Sequence, residues 1–208
     1  MALADPAVAA SFRIATPGNW FDIRLPQDEA AADQLAATLA DSWPGEASSG
    51  ELRKIVHGLV TAATALDVLC AYATLLNGHG RLLPASLVIN AFPLRGMSLD
   101  YVADQLAGAD GALAPRLSRR VDLPAGRVVR VERLREWGAT ATGRHPVSLV
   151  VQYVAEVPGD GQALVLTFST PALGMTEQLR PLFHAIASTL RFDGPARAPR
   201  FEPADDRR

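Results

Sequence analysis

The sequence predicts an α+β fold, in which helices pack on the faces of a mostly antiparallel sheet. Two observations predict it. Between residues 117 and 169, four apolar strands follow one another with short turns, a pattern typical of an antiparallel meander. The chain from the last of these strands then passes through a TPALGM turn into an amphipathic helix, whose apolar side needs a sheet to cover it.

The final helix is predicted to end at residue 192, and its apolar residues recur at helical spacing. Such spacing puts them all on one side, while polar residues occupy the other. The predicted buried side consists of Leu179, Leu182, Phe183, Ile186, Ala187 and Leu190. The predicted solvent side consists of Arg180, His184, Ser188 and Arg191.

The first half of the chain is predicted to alternate between strands and helices. A strand over residues 20–25, which Pro26 ends, comes before a short helix that Asp28 caps and that runs to about residue 39. An apolar helix is predicted over 51–76, and it must be covered on two sides. A strand over 82–92 follows, and Ser98 then opens a short helix.

In the second half, strands are predicted near 117–123, 128–137, 147–157 and 163–169. Apolar residues alternate through the third of them, which indicates that one face of the sheet meets the core. The members of that face are Val147, Leu149, Val151, Tyr153 and Ala155.

Length and composition predict a single domain. The chain has 208 residues, of which 49% are hydrophobic, enough for one substantial core. We assign 12–192 to that domain, 1–11 to a flexible N-terminal segment, and 193–208 to a disordered tail, because the tail has no periodicity and is rich in Pro, Arg and Asp.

Charge and cysteine content limit the function classes. The net charge of -2 argues against a protein held on nucleic acid or membrane by its overall field. The single cysteine, Cys70, excludes an internal disulfide and is predicted to be an inert buried thiol. The first residues lack the basic segment of a secretory signal, so a cytoplasmic location is predicted.

The order of these elements resembles the PsbP-like fold, an α/β/α sandwich. The residues that carry the resemblance are Trp20, Asp22, Ile23, Leu25 and Pro26 near the start, and Phe168 with the 169–174 turn and the helix to Phe192 at the end. The fold is shared by photosystem extrinsic subunits, a Ran-binding nuclear-import factor, actinobacterial LpqN-type lipoproteins and cytoplasmic chaperones of secreted effectors. The resemblance implies a binding or accessory role rather than catalysis, although fold alone does not determine function.

Candidate catalytic and metal-ligating residues form no recognisable motif. The histidines His57, His79, His145 and His184 have no metal-ligand spacing, so neither a metal nor another cofactor is predicted. Asp67 lies in an apolar stretch, where a carboxylate needs a partner or a shifted pKa, or else points to solvent. An enzyme that uses Asp67 or His184 as an acid or base remains the alternative to a binding protein.

The turn over residues 170–174 delivers a strand to a helix. Such a turn can present backbone N–H groups to an anion, or it can be an ordinary connection.

Charge is segregated along the chain. Residues 1–115 carry a net charge of -6, whereas residues 116–144 carry eight arginines against three acidic residues. Arginines alternate with apolar residues there, so one face of the hairpin is predicted to project guanidinium groups. The candidate partner-binding residues are Arg119, Arg120, Arg127, Arg130, Arg133 and Arg135.

This arginine pattern has three interpretations. It protects a sheet edge from aggregation, it docks an acidic protein, or, with least support because no aromatic platform accompanies it, it binds nucleic acid. We predict a non-enzymatic protein-binding or accessory protein, an adaptor or chaperone for a secreted client, which acts without nucleic acid or membrane. A homodimer is left open as a second way to cover an apolar surface.

Overall fold

The structure is a computed structural model, and it describes residues 11–22, 68–78, 81–108, 117–136 and 146–193, together with residues 30, 31, 33, 34, 37, 38, 50, 54 and 113. The predicted tails, except Ser11 and Asp193, lie outside the described residues, as does most of the helix predicted over 51–76. The described residues between 30 and 38 are helical, in the segment where a helix is predicted.

Apart from the helical residues between 30 and 38, the described residues form two helices, nine strands and one short 3-10 turn. In chain order they are β1 (Phe12–Arg13), β2 (Phe21–Asp22), β3 (Cys70–Gly78), β4 (Arg81–Pro93), α1 (Leu99–Gly108), β5 (Leu117–Leu123), β6 (Gly126–Glu136), β7 (Val147–Glu156), β8 (Gln162–Thr170), the 3-10 turn (Leu173–Met175), α2 (Thr176–Ala187) and β9 (Arg191–Phe192).

Seven of the strands form one sheet, in the order β2-β3-β4-β8-β7-β6-β5, and every neighbouring pair is antiparallel. The four strands predicted as a meander occupy consecutive positions in it. The structure therefore confirms the α+β class with a mostly antiparallel sheet. It also places β5 at one edge.

Helix α2 covers one face of the sheet, which we name the α2 face. Its side chains at Leu179, Phe183, Ile186 and Ala187 are buried, as predicted. The prediction that the helix continues to residue 192 is wrong, because the helix ends at Ala187 and Arg191–Phe192 pair with β1 as a strand. Phe183 stacks on Phe168 of β8, with ring centroids 4.7 Å apart, and the Trp20 ring meets both rings edge-on. The alternation predicted for β7 is also confirmed, because Leu149, Val151, Tyr153 and Ala155 all belong to this core.

Helix α1 covers the opposite face, which we name the α1 face. Val102 and Ala103 of the helix pack there with Val129 and Val131 of β6 and Val154 of β7. The helix begins where predicted, since the Tyr101 backbone N–H donates to Ser98 Oγ at 3.2 Å, which is the hydrogen bond of an N-cap. Strands β6 and β7 are thus covered on both faces.

The prediction of a helix through residue 76 is wrong. Residues 70–78 form β3, which pairs with β4 along its whole length, from Cys70 opposite Ile89 to Gly78 opposite Arg81. Cys70 is half-buried at the start of this strand rather than in a helix. The apolar run has no clear period, so local pattern did not decide its structure, and pairing with a long neighbouring strand does.

The two ends of the described fold meet in a small separate ladder. Phe12 of β1 pairs with Phe192 of β9, and Arg13 forms an ion pair with Asp193 at 2.6 Å. Ala15 N–H also donates to Thr189 Oγ1 at 2.8 Å. These bonds attach the start of the described chain to the segment that follows α2.

Candidate functional site

The arginine hairpin predicted from the sequence is the pair β5 and β6, which forms one edge of the sheet. Pro124 and Ala125 make a two-residue turn between them, and Leu123 pairs with Gly126. Gly126 has a φ of +114°, a backbone conformation that residues with a Cβ rarely adopt. The glycine therefore allows the tight turn that brings the two arginine-bearing strands side by side.

Three of the six predicted arginines are exposed on this hairpin, and we name them the arginine edge: Arg119, Arg120 and Arg127. Arg120 forms an ion pair with Asp100 in the first turn of α1. The hydrogen bond from Arg120 holds the pKa of the Asp100 carboxyl below its usual value and raises the pKa of Arg120. Within the described chain, Arg119 and Arg127 have no carboxylate partner.

The prediction that the other arginines also project from the sheet is wrong for two of them. Arg130 and Arg133 are buried, with 7% and 5% of their surface exposed, and Arg135 is half-buried. The reason is that β6 is covered on both faces. Alternation places Arg130 under α2 and Arg133 under α1, instead of directing one set to solvent.

Arg133 and Arg130 form hydrogen bonds with different partners on these two faces. Arg133 donates through Nη1 to the carbonyl oxygen of Leu106, in the last turn of α1. Arg130 donates through Nη2 to Glu132 Oε2 at 2.6 Å, two positions along the same strand. Both arginines therefore act within the fold.

Glu132 is the centre of a charged cluster between β6 and α2. Its side chain is 7% exposed, and its second carboxylate oxygen accepts from Arg180 Nε at 2.7 Å. Arg180 also pairs with Glu177, one turn earlier on the helix. The hydrogen bond to Glu132 raises the pKa of Arg180. Arg180 thus reaches the sheet, rather than lying on the solvent side as predicted.

Tyr153 lies beside this cluster on β7. The Arg130 guanidinium carbon is 5.9 Å from the centroid of its ring, within cation–π range. The Tyr153 hydroxyl lies 3.4 Å from His184 Nδ1. Burial raises the pKa of Tyr153, since a charged phenolate is disfavoured away from water.

A cleft of about 300 Å³ opens next to the charged cluster, and we name it the leucine cleft because Leu117, Leu134, Leu149 and Leu173 line it. Thr176, Arg133 and the Glu132–Arg180 pair are its polar members. Leu149 is buried, whereas Leu117 is 64% and Leu173 39% exposed. An apolar side chain of a binding partner could be buried between these two exposed leucines.

A second cleft, of about 610 Å³, lies on the α1 face near the start of α1. Its charged members are the Asp100–Arg120 pair, Arg127 and Glu156. Opposite charges are therefore interspersed along it. The described residues therefore give this cleft no preference for an anion over a cation.

The turn over residues 170–174 uses its own backbone donors. Ala172 N–H donates to Thr170 Oγ1 at 3.1 Å, and Leu173 N–H donates to the carbonyl of Pro171 at 2.8 Å. Met175 N–H donates to the carbonyl of Ala172. These donors are not available to an anion, so the ordinary connection is the better interpretation.

Most other candidates fall outside the described residues: Asp67, His57, His79 and His145. His184 is described, and it is exposed and lines neither cleft. In the described part of the chain, no group of three or more His, Cys, Asp or Glu side chains is placed to hold a metal ion. No described helix is long and apolar enough to cross a membrane.

The residues that sequence reasoning missed are Glu132, Arg180 and Leu173. One signal could have found the first, because Arg130 and Glu132 are two positions apart in a strand and must share a face. Nothing in the sequence indicated that Arg180 reaches Glu132, which is 48 positions away along the chain.

Comparisons with known proteins find similarity among solved structures. No protein-family model and no curated protein matches the chain. The solution structure of cyanobacterial PsbP (CyanoP) from Synechocystis sp. PCC 6803 is similar with a TM-score of 0.45 and 11% identity, over 93% of this chain and 99% of that one. The α+β class follows from the order and register of the strands in the structure.

Proposed function

We propose that the chain is a non-enzymatic protein-binding or accessory protein whose acidic partner docks on the arginine edge. The observation that carries the proposal is Arg119, which is exposed on an edge strand and has no carboxylate partner in the described chain. A guanidinium group has five N–H donors in a planar fork, a geometry that fits a carboxylate. Such a group is ready for a partner's Asp or Glu.

Charge distribution supports an acidic partner. On the described hairpin the exposed charges are those of Arg119, Arg120 and Arg127 against Asp122, in a chain whose overall charge is -2. A local positive field of this kind raises the rate of association with an acidic protein and orients it toward the arginine edge. It adds little affinity by itself, so apolar contacts nearby are needed as well.

Edge protection is the competing interpretation, and it makes a different prediction. If Arg119 and Arg127 serve only to keep edges apart, replacing them should promote self-association and change no binding. If they bind a partner, replacing them should weaken binding whether or not the variant self-associates. One pair of variants can therefore separate the two roles.

The test is a selection of peptides that bind the arginine edge. A random peptide library is selected against the wild-type protein at low salt, with counter-selection against the Arg119→Glu/Arg127→Glu variant. We expect enrichment of acidic peptides that bind the wild type and lose most of their affinity for the variant. Arg191→Glu is the matched control, because Arg191 is an exposed arginine on β9 in the other ladder.

Peptides without an excess of Asp or Glu, or acidic peptides that bind both variants equally, would contradict the proposal. Analytical ultracentrifugation of Arg119→Ser/Arg127→Ser, which removes the edge charges instead of reversing them, measures self-association, and an increase without loss of peptide affinity would favour edge protection.

We further propose that the protein acts in the cytoplasm as an adaptor or chaperone for a secreted client, a role that the resemblance to LpqN-type proteins and effector chaperones suggests. The client's acidic segment would be the part recognised. Co-purification of a secreted acidic protein with the wild type, and its loss with Arg119→Glu, would test this role.

A further inference from the structure

We propose that the partner docks as an extended segment that adds an eighth strand to the sheet, antiparallel to β5. An acidic residue of this segment lies opposite Arg119, and an apolar residue two positions later lies opposite Leu117 at the rim of the leucine cleft. The inference rests on the proposed function and specifies the kind of partner: an extended segment with the pattern acid-x-apolar.

The edge of β5 has backbone groups available for such pairing. Leu113 N–H donates to the carbonyl of Leu134, so the peptide groups of Leu134 point to the β5 side of β6. Alternation assigns the same direction to Gly126, Val128, Arg130 and Glu132.

The β5 residues opposite these four, among them Leu117 and Arg119, must therefore bond to β6. The peptide groups of Ser118, Arg120 and Asp122 then point away from the sheet. No described strand pairs with them, and the side chains of residues 117–120 and 122 are exposed. A row of outward N–H and C=O groups is the template on which an extended chain adds a strand.

Side chains on the α2 face supply selectivity for that strand. Leu117 and Arg119 are two positions apart and share this face, because Arg119 lies opposite Arg130 and Leu117 opposite Glu132. Leu117 is also part of the leucine cleft. A neighbouring strand would place one side chain against an unpartnered guanidinium group and another against an exposed leucine at a cleft.

The arginines favour an acidic segment over a second copy of this chain paired in the register centred on Arg120. If two β5 edges paired about a twofold axis centred on Arg120, the two Arg120 side chains would lie directly opposite each other, with both Arg119 side chains close by. Like charges directly opposite across a ladder are destabilising. An acidic strand instead gains opposite-charge pairs at the same positions.

The direction of the added strand fixes the order of its residues. Every neighbouring pair in the seven-stranded sheet is antiparallel, and antiparallel pairing is slightly more stable per residue than parallel pairing. In an antiparallel partner, the residue opposite Arg119 precedes the residue opposite Leu117. The order is therefore acid-x-apolar, and the reversed order apolar-x-acid is its matched control.

The experiment uses the full chain and labelled peptides of about eight residues in a Thr and Val background, with Glu two positions before Leu. Affinity is measured by fluorescence anisotropy at low ionic strength, because salt screens exposed charges. In the predicted pairing, the N–H of the residue between Glu and Leu donates to β5, whereas the N–H groups of Glu and Leu point away.

Two doubly N-methylated peptides test this pairing. One carries the methyl groups on the residue between Glu and Leu and on the residue before Glu, and it should bind at least about tenfold more weakly. The other carries them on Glu and Leu themselves and should bind within about threefold of the unmodified peptide. Both have the same composition, so hydrophobicity and charge are matched.

Protein variants test the side-chain contacts. Arg119→Glu should weaken the Glu peptide about tenfold and should bind the corresponding Lys peptide more tightly than the wild type does. Leu173→Ala should weaken the peptide about threefold to tenfold by removing one wall of the cleft. Arg191→Glu should leave the affinity unchanged.

The outcomes separate the two proposals. Equal effects of the two N-methylation patterns, or tighter binding of the reversed order, overturn the added strand but leave an acidic partner in place if the library peptides bind. Failure of both the designed and the library peptides overturns the proposed function itself. Loss specific to the inward-methylated peptide, with rescue of Arg119→Glu by the Lys peptide, supports the inference.

Discussion

Glu132 on β6 and Arg180 on α2 join the helix to the sheet through a charge-assisted hydrogen bond of 2.7 Å between Oε1 and Nε. The other oxygen of the same carboxylate holds the buried Arg130. One acidic residue thus compensates two arginines, of which one has almost no access to water. Glu132 therefore supplies the counter-charge that the buried Arg130 guanidinium needs.

Replacing Glu132 should therefore be costly. Glu132→Gln leaves the Arg130 guanidinium buried without a counter-charge, and breaking a buried pair in this way typically costs about 3–5 kcal/mol of the free energy of unfolding. Urea unfolding followed by circular dichroism measures it. Glu177→Gln is the control, because its pair with Arg180 is on the surface and such pairs contribute about 0–1 kcal/mol.

The double variant Arg130→Met/Glu132→Leu refines this prediction. It removes both charges of the closest pair and leaves apolar side chains in the core, so it should recover most of the stability that Glu132→Gln loses. A double variant less stable than Glu132→Gln would show that the bridging carboxylate stabilises the fold in its own right.

Phe183 should be the most sensitive single position on α2. It is fully buried and stacked on Phe168, with ring planes 18° apart, and the Trp20 ring packs against both. Phe183→Ala should cost about 3–5 kcal/mol, because it removes buried area and leaves a cavity. Thermal and urea unfolding measure the loss. Tyr101→Ala on α1, where half of the tyrosine surface is exposed, should stay within about 0.5 kcal/mol of the wild type.

The raised pKa of Tyr153 predicts that the protein loses stability at high pH. Burial raises its pKa above the ordinary value of about 10, so the folded state keeps the phenol proton after the unfolded chain has lost it. Its contribution is complete below about pH 10 and falls as the pH rises toward the folded pKa.

The comparison with Tyr153→Phe isolates this effect. The stability of the wild type relative to the variant should be constant from pH 7 to about pH 9.5 and should then decline. Urea unfolding at stepped pH measures the difference, and tyrosinate absorbance should show one tyrosine that ionises late in the wild type. A relative stability that rises above pH 10 would contradict a raised pKa.

The sequence predicts the parts of the fold whose pattern is local. The β7 alternation and the α2 stripe each need one buried face, so their periods are clear, and the meander follows from turns such as that at Gly126. β3 is the exception, because its alanines and leucines suit a helix and only its long pairing with β4 makes it a strand.

The site was predictable only in part, for a related reason. Sequence identifies a cluster of arginines, and alternation suggests that they share an exposed face. Exposure, however, depends on which helices cover which strand. Arg119 lies on the edge strand and is exposed, whereas Arg130 and Arg133 lie one strand further in, under α2 and α1. That depth is set by strand order, which single residues do not encode.

Arg133 should control the end of α1 rather than any binding surface. Its Nη1 donates to the Leu106 carbonyl, one of the last four carbonyls of the helix, which have no partner within the helix itself. Arg133→Met keeps the apolar stem under α1 but removes this donor, so the last turn of the helix should open more often. Hydrogen exchange with mass spectrometry should show about tenfold to hundredfold faster exchange confined to peptides over 99–108, which corresponds to about 1.5–3 kcal/mol for the loss of a charged hydrogen bond. Arg119→Met is the matched control, since it removes an exposed arginine of the same hairpin and should leave exchange in α1 unchanged. Uniformly faster exchange across the whole sheet in Arg133→Met would show instead that this arginine stabilises the fold globally and does not act on α1.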